Sequence, residues 1–561
     1  MQCWIYAGVL LIGGLLGAEP SCPPTPVYKT CDMVFELDEA RRDPYNSVEL
    51  RGEFRSPRHR TLMVYGFWDG GRRMVIRFAP NEVGDWEFRI TSNLSQYDGK
   101  QGTLSATASE APGFLRVANM HHWAYTDSNK AHLWMGDTDY DATGDAFHKL
   151  VDARATAKYT HLRALGAAFT TPDIAALQAL DERVRYTNDK GLVFDMVLAK
   201  TVPESAAQRD RYIRYIAARY GAFHVTWQIF QAFEEVKNAR PLAKEMGTAL
   251  KKYDPYQHPK TAGANVTSSP MAGDGWMDYI LYSSSDDQLG SIEHQLYPMP
   301  FVNAGLAAKD MNALRKQLWN ATMNGQYVGS AQVDPKQMTV WFDFFSESRH
   351  WELEPYFDVD GGRAMALEGI EYVLYVEKPG PVEVRVERHG YDVVWMNPLT
   401  GEQTKLKNYK GEKFAAEPPD ATHDWVLYLS REGKKQSMLE SYKFDSREYP
   451  LELQQIEQNA QKLPFVISEP SKDDVSVSKP PTFAAKLRRE SRATRSMMYL
   501  WTGEVVIDGL GFRVFGTGRE GIFQIPPFMA LNYPAILNVR LVGMNANGKI
   551  YLTDKVFTLN H

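Results

Sequence analysis

The sequence predicts a multidomain chain that joins α/β and all-β parts: a (β/α)8 (TIM) barrel, preceded by an antiparallel β-sandwich and followed by two small β domains. Three observations carry this. A chain of 561 residues holds about three or four domains at roughly 150 residues each. Residues 27–117 alternate apolar and polar positions between turn signals, the period-two pattern of half-buried antiparallel strands. From about His122, eight apolar runs alternate with helix-like stretches, which is the strand count of a closed α/β barrel.

In the first unit, placed at 24–118, Asp69-Gly70-Gly71 supplies hairpin chemistry, because glycine reaches positive φ without steric cost. Met74, Ile76 and Phe78 share one strand face; Trp86, Phe88 and Ile90 share the next. The barrel, placed at 119–355, takes strands at 132–136, 160–165, 192–198, 225–229, 260–263, 279–282, 301–303 and 327–331. Residues 206–220 set Ile213, Ile216 and Ala217 on one helix face, and 240–253 and 310–323 behave alike. A doubly wound open sheet is the structural alternative, but its Gly-rich first turn is missing. A β-sandwich is expected at 364–430, a charged linker with ordered pieces at 431–490, and a last β domain at 491–561.

Hydrophobic residues at 44% and charged residues at 24% exclude a wholly disordered or coiled-coil chain. Lys and Arg number 63 against 69 Asp and Glu, a net charge of −6. No broad basic surface follows, so nucleic acid is not an expected partner. The apolar run 4–16, closed by Gly17-Ala18, is shorter than the about 20 residues of a spanning helix. It reads as a signal peptide, 1–18, with an uncleaved anchor as the alternative; no stable membrane span is expected. Cys22 and Cys31 then remain, flanking a Pro-rich loop, and a local disulfide suits an oxidising compartment.

No HExxH, P-loop or GxSxG string occurs. Gly516-Thr517-Gly518-Arg519-Glu520-Gly521 fits GxGxxG but runs on into Pro526-Pro527. Without a helix N-terminus it makes no phosphate cradle and reads as a hairpin turn. His121-His122 have no second ligand pair at a recognisable spacing; neither metal nor cofactor is expected.

In a (β/α)8 barrel the chemistry sits at the C-terminal ends of the strands. That rule selects Asp137 on strand one, His161 and Arg163 on strand two, and Asp195 on strand three. It adds Trp227 and Gln231 on strand four and Asn303 on strand seven. Carboxylates, amides and aromatic rings on one rim suit a sugar, whose hydroxyls pair with polar groups and whose faces lie on rings. Each residue has a structural alternative: Asp137 and Asp195 as buried acids, Trp227 as core, Glu234 and Glu235 as acids ahead of a helix N-terminus.

Five strings then stand out: VIRFAPNEVGDWEFRI (75–90), LWMGDTDY (133–140), YIAARYGAFHVTWQI (215–229), KKYDPYQHPKTAG (251–263) and VVWMNPLTGE (393–402). Through them the chain from about Val27 to Asp420 resembles the apiosidase-like glycoside hydrolases, a group of secreted bacterial proteins. These join an immunoglobulin-like domain to a (β/α)8 barrel and a small β-sandwich commonly labelled collagen-binding. The resemblance implies a bacterial protein that is secreted, periplasmic or at the cell surface, with a polysaccharide or oligosaccharide as partner.

The group cleaves glycosidic bonds with two carboxyl groups. One ends strand four in a string like W-x-L-G-N-E or W-x-L-G-G-D; the other ends strand seven in a string like P-V-x-N-x-E. Here strand four reads Trp227-Gln228-Ile229-Phe230-Gln231-Ala232, and strand seven reads Pro300-Phe301-Val302-Asn303-Ala304-Gly305. Ala232 and Gly305 thus stand where both acids are expected. Cleavage through an oxocarbenium-like state needs a proton donor and a second carboxylate, which Ala and Gly cannot supply. If the chain is active, Glu234 is the expected general acid and Asp286 the second carboxylate, with Glu235 and Asp287 beside them. The expected function is a glycoside-hydrolase-like protein that binds a saccharide at the barrel mouth. The alternative is a non-catalytic carbohydrate-binding or cell-surface assembly protein.

Overall fold

The structure is a computed structural model. It describes residues 21–37, 42–128, 130–199, 202–283, 290–291, 294, 297–308, 310–329, 334–433 and 437. Towards the carboxy terminus it describes 461–462, 465–476, 478, 482–487, 498–507, 510–517, 520–522, 533–544 and 550–561. The expected signal peptide lies outside the described residues, as do Asp286 and Asp287.

The chain divides into two compact units, 1–109 and 110–561. The boundary therefore falls at 109 rather than at the expected 118, because Leu115–Ala118 pairs antiparallel with His122–Tyr125 in the second unit. In the first unit, Thr25–Pro26, Gln101–Thr107, Gly84–Ser92, Leu50–Arg55 and Thr61–Tyr65 form one sheet in that order. Cys31–Glu36, Arg73–Phe78 and Phe67–Trp68 form another. Rings join the two layers: Phe54 stacks on Phe78 at 4.2 Å, and Phe78 meets Trp86 edge-on at 5.1 Å. Cys22 and Cys31 are disulfide-bonded, with Cα atoms 6.0 Å apart.

Trp86, Phe88 and Ile90 alternate with exposed neighbours, as the pattern predicts. The strand Arg73–Phe78 departs from alternation, since Arg77 is buried beside its apolar neighbours. Asp32, on the paired strand, takes its guanidinium at 2.7 and 2.8 Å. A charge leaves water only with such a partner.

The second unit begins with parallel strands joined by helices. They are β1 (Gly136–Thr138), β2 (His161–Leu165), β3 (Val193–Ala199), β4 (Val225–Phe230), β5 (Lys260–Thr261), β6 (Ile280–Tyr282), β7 (Phe301–Asn303) and β8 (Gln326–Val328). β1 to β5 pair in sequence order, and so do β6 to β8. A parallel bridge from Met135 to Val328 links β8 to β1. Between β5 and β6, Asp278 N–H donates to the Lys260 carbonyl at 2.9 Å, and the Thr261 hydroxyl donates to the Tyr279 carbonyl at 2.7 Å. Each of the eight expected runs thus meets a strand. β1 starts where its run ends, and β5 keeps two residues.

Parallel neighbours need crossover connections. These are α1 (Gly144–Thr156), α2 (Ile174–Asp189), α3 (Ala206–Tyr220), α4 (Ala239–Tyr253) and α5 (Met311–Met323), with α6 (Pro335–Ser346) after β8. α3 shows why they form. Ser205 and Gln208 make a reciprocal capping box at its start, which satisfies two otherwise orphaned backbone donors. Its Tyr212, Ile213, Ile216 and Tyr220 are then buried together, each aliphatic one contributing about 1.5–3 kcal/mol. β4 is buried at every position, as befits a parallel strand covered on both faces.

Beyond α6, eight strands between Glu354 and Arg431 form one sheet over a core that includes Tyr372, Leu374, Val393, Trp395 and Leu427. Arg315 of α5 reaches Asp424 of this module, and both are buried. The last module spans more than expected. Gln461–Lys462 and Asp474–Ser476 run parallel to Ile550–Asn560, and Phe465–Glu469 pairs with Thr482–Leu487. Part of the expected linker therefore supplies strands. Its charges and prolines hide that role, because strand pairing is a non-local contact that composition does not report. The GxGxxG string begins in the strand Leu510–Thr517 and ends in the strand Glu520–Ile522. No helix among the described residues is long and apolar enough to cross a membrane.

Candidate functional site

The C-terminal ends of the parallel strands surround a cavity of about 550 Å³. Arg163 of β2, Gln231 and Glu235 after β4, Asn265 after β5 and Ser283 after β6 supply its polar lining; Ala232, Val236 and Ala264 complete the wall. The ends of β4 and β5 are pressed together. A Cβ on Gly263 would lie 2.2 Å from the carbonyl oxygens of both Phe230 and Gln231, so only glycine allows this approach. Gly263 N–H donates to the Phe230 carbonyl and Phe233 N–H to the Gly263 carbonyl. That stitching brings Ala232 and Asn265 to the same cavity.

Two adjacent acids follow, with different surroundings. Glu234 is buried. Its carboxylate accepts the Asn265 N–H at 2.9 and 3.0 Å and the Val266 N–H at 3.3 Å. Burial pushes its pKa up to about 7, against the pull of those backbone donors. It fastens the β5–β6 loop and is not part of the cavity lining. Glu235 is exposed, lines the cavity and accepts from Asn265 Nδ2 at 3.0 Å. The acid facing the cavity is therefore Glu235, one residue beyond the expected one.

Arg163 donates from Nε and Nη2 to the Tyr140 hydroxyl at 2.8 and 2.5 Å. Its Nη1 is buried and has no hydrogen-bond partner.

Of the remaining expected residues, Asp137, His161, Asp195, Trp227 and Asn303 are buried inside the fold. Asp137 is bound by Arg154 and the Thr138 N–H, and burial raises its pKa. His161 and Asp195 belong to an internal chain of polar contacts. Tyr125 OH meets His132 Nδ1 at 2.8 Å, His132 Nε2 meets His161 Nε2 at 2.8 Å, and His161 Nδ1 meets Asp195 at 2.7 Å. Thr226 then donates to Asp195 at 2.7 Å. Burial, with His161 and His350 nearby, keeps the His132 pKa well below the usual imidazole range. Trp227, expected at the rim, is fully buried and gives its indole N–H to Asp254 at 2.9 Å. Asn303 pairs with Gln326 at 2.9 Å and accepts the Gly305 N–H at 2.9 Å.

The two positions where acids were expected also differ. Ala232 faces the cavity. A Cβ on Gly305 would lie 2.3 Å from the Ser283 carbonyl carbon and oxygen, so no side chain fits there. Asn265, at the end of the expected fifth strand, and Ser283, just after the expected sixth, are where the strand-end rule puts rim residues, and both line the cavity.

Residues 24–93 match a family described as a domain of unknown function, DUF5060. No curated protein sequence matches the chain. Among solved structures, a protein from Bacteroides vulgatus, provisionally described as a glycoside hydrolase, aligns with a TM-score of 0.62 at 16% identity. The alignment covers 73% of this chain and 100% of that one. The fold is glycoside-hydrolase-like. A glycoside hydrolase family 5 protein from the same organism gives a TM-score of 0.51 at 12% identity, over 58% of this chain and 94% of its own. A further structure described as a glycoside hydrolase gives 0.50 at 15%, over 58% and 98%.

Proposed function

We propose that the chain is an exported bacterial protein of the apiosidase-like glycoside hydrolase type that binds a saccharide at the mouth of a (β/α)8 barrel. Eight parallel strands, the Met135–Val328 bridge and the contacts between β5 and β6 support the barrel. The two facing sheets of the first unit support an immunoglobulin-like sandwich, and the strands from Glu354 to Arg431 support the module that resembles collagen-binding ones.

The observation that carries the function is the cavity at the strand ends. Its volume lies within the roughly 300–1,000 Å³ of small-ligand sites. It offers a guanidinium, two amides, a hydroxyl and a carboxylate, which match the hydroxyl groups of a sugar. The described residues that line it are polar or aliphatic, which suits recognition by hydrogen bonds. Among the described residues its lining holds a single carboxylate, Glu235. Hydrolysis by the two-carboxyl route needs a second, and positions 232 and 305 do not supply it. Binding without hydrolysis is therefore the favoured reading. In a hydrolytic version, Glu235 takes the role first expected of Glu234, with Asp286 as its partner.

A glycan-binding and hydrolysis screen on the mature chain tests this. Saccharide affinity without sugar release is expected, with binding weakened in Ala232→Glu, whose side chain enters the cavity. Absence of affinity for every glycan class overturns the proposal. Sugar release that disappears in both Glu235→Gln and Asp286→Asn replaces it with the hydrolytic version.

A further inference from the structure

At the N-terminal ends of the parallel strands, away from the cavity, three histidines surround one carboxylate. His121 and His122 come from the hairpin before β1, His294 from the segment before β7, and Glu354 from the first strand after α6. Ligand atoms of His121, His294 and Glu354 all lie within 4.8 Å of one another. His121 Nδ1 and His122 Nε2 lie 3.1 and 3.2 Å from Glu354 Oε1, and His294 Nε2 lies 2.6 Å from Oε2. The three imidazoles are 8%, 3% and 1% exposed. The Glu354 side chain is half-buried.

Hydrogen-bond accounting leaves one position without an explanation in a neutral cluster. His121 Nε2 faces the Tyr297 carbonyl oxygen at 2.9 Å. A carbonyl only accepts, so Nε2 carries the proton. In the neutral ring Nδ1 then presents a lone pair, and it points at Glu354 Oε1, another lone-pair atom. Something electron-deficient must lie between them. A histidine whose far N–H is held by a backbone carbonyl while its near nitrogen faces a carboxylate has the outer-shell arrangement of a metal ligand. His294 turns Nε2 to the carboxylate, and its far Nδ1 is buried without a hydrogen-bond partner. A Cβ on Gly325 would come within 2.6 Å of this ring, so the glycine lets the backbone pack directly against it.

We propose that His121, His294 and Glu354 form a structural site for a zinc-class divalent cation, with His122 holding the Glu354 carboxylate from the side. Two imidazole nitrogens and one carboxylate oxygen are three of the four N/O ligands that such ions take in a tetrahedral site, and water would supply the fourth. The ion joins the His294 segment and Glu354, the latter 233 residues from His121, and so clamps the module that starts at Glu354 onto the base of the parallel strands. This site is independent of the saccharide proposal, and neither one's failure touches the other.

The test uses the tag-free mature chain, stripped with a chelator and titrated with Zn2+ alone and with Co2+ alone. One equivalent of Zn2+ per chain, a visible absorption band of tetrahedral Co2+ and a rise in the thermal midpoint on adding Zn2+ are expected. Glu354→Gln and His294→Asn should each weaken Zn2+ by about tenfold or more, with circular dichroism confirming that they fold. If a variant fails to fold, the Co2+ band and the chelator-sensitive midpoint of the wild type carry the test. No stoichiometric Zn2+, or Zn2+ binding unchanged in both folded variants, overturns it.

Discussion

The interior of the parallel strands and the rim just beyond their ends are built from the same kinds of residue, yet they use them oppositely. Inside, His132, His161, Asp195 and Thr226 bind one another in an unbroken chain, and Asn303 is held by Gln326 and the Gly305 N–H. At the rim, Arg163 and Gln231 are only partly buried and line the cavity, and Glu235 stays exposed over it. Depth decides which is which. His161 and Arg163 are two residues apart on β2 and point the same way, but only the second has passed beyond the packed layer. A polar group that is buried must be satisfied within the protein; one at the mouth is free to meet a ligand.

The largest test of this contrast is Asp195→Ala. It leaves His161 and Thr226 without their acceptor and should cost about 3–5 kcal/mol, the scale for breaking a buried charged pair, measured by urea unfolding. A cost below about 1 kcal/mol would mean that the interior chain is not structural.

Glu234 gives the next effect, as a pH dependence. Its folded pKa is raised from 4.5 to about 7. Between those values the folded chain holds a proton that the unfolded chain has lost. Its contribution is complete below about pH 4.5 and disappears as pH rises through about 7. Wild-type stability should fall across that window by up to about 3 kcal/mol relative to Glu234→Gln, at about 1.4 kcal/mol per unit. Parallel stability–pH curves for the two proteins would show that Glu234 is not held in this environment.

Gly305→Ala should cost about 1–3 kcal/mol, because its new methyl group meets the Ser283 backbone. Ala232→Glu should cost less, since its side chain enters the cavity. Equal costs would remove the distinction between the closed and the open position. The smallest effect on folding is expected from Arg163→Met, under about 1 kcal/mol. The same variant should weaken saccharide binding by about tenfold or more, the scale of a hydrogen bond to a charged group. Unchanged affinity would take Arg163 out of the binding site.

Much of the fold was legible because periodicity is local. The eight apolar runs, the helix at 206–220 and the alternation of Trp86, Phe88 and Ile90 can each be read from neighbours a few residues apart. The site was legible only in outline. The strand-end rule found Arg163 and Gln231 at the cavity, but it also selected Trp227, whose indole turns outward to Asp254. Which of the adjacent acids Glu234 and Glu235 faces the cavity was not legible, because the short helical turn Phe233–Glu235 buries the first and exposes the second.

By itself the amino-acid order determined the alternation of strands and helices, the Cys22–Cys31 pairing and the absence of acids at 232 and 305. All of these depend on residue identity or on spacing along the chain. Only the tertiary structure decided which polar groups are sealed and which are open, that the Ser283 backbone closes position 305, and that His121 and His122 meet His294 and Glu354. Those outcomes depend on contacts between segments far apart in the chain, and no local pattern encodes how deeply a side chain is packed or which distant atom faces it.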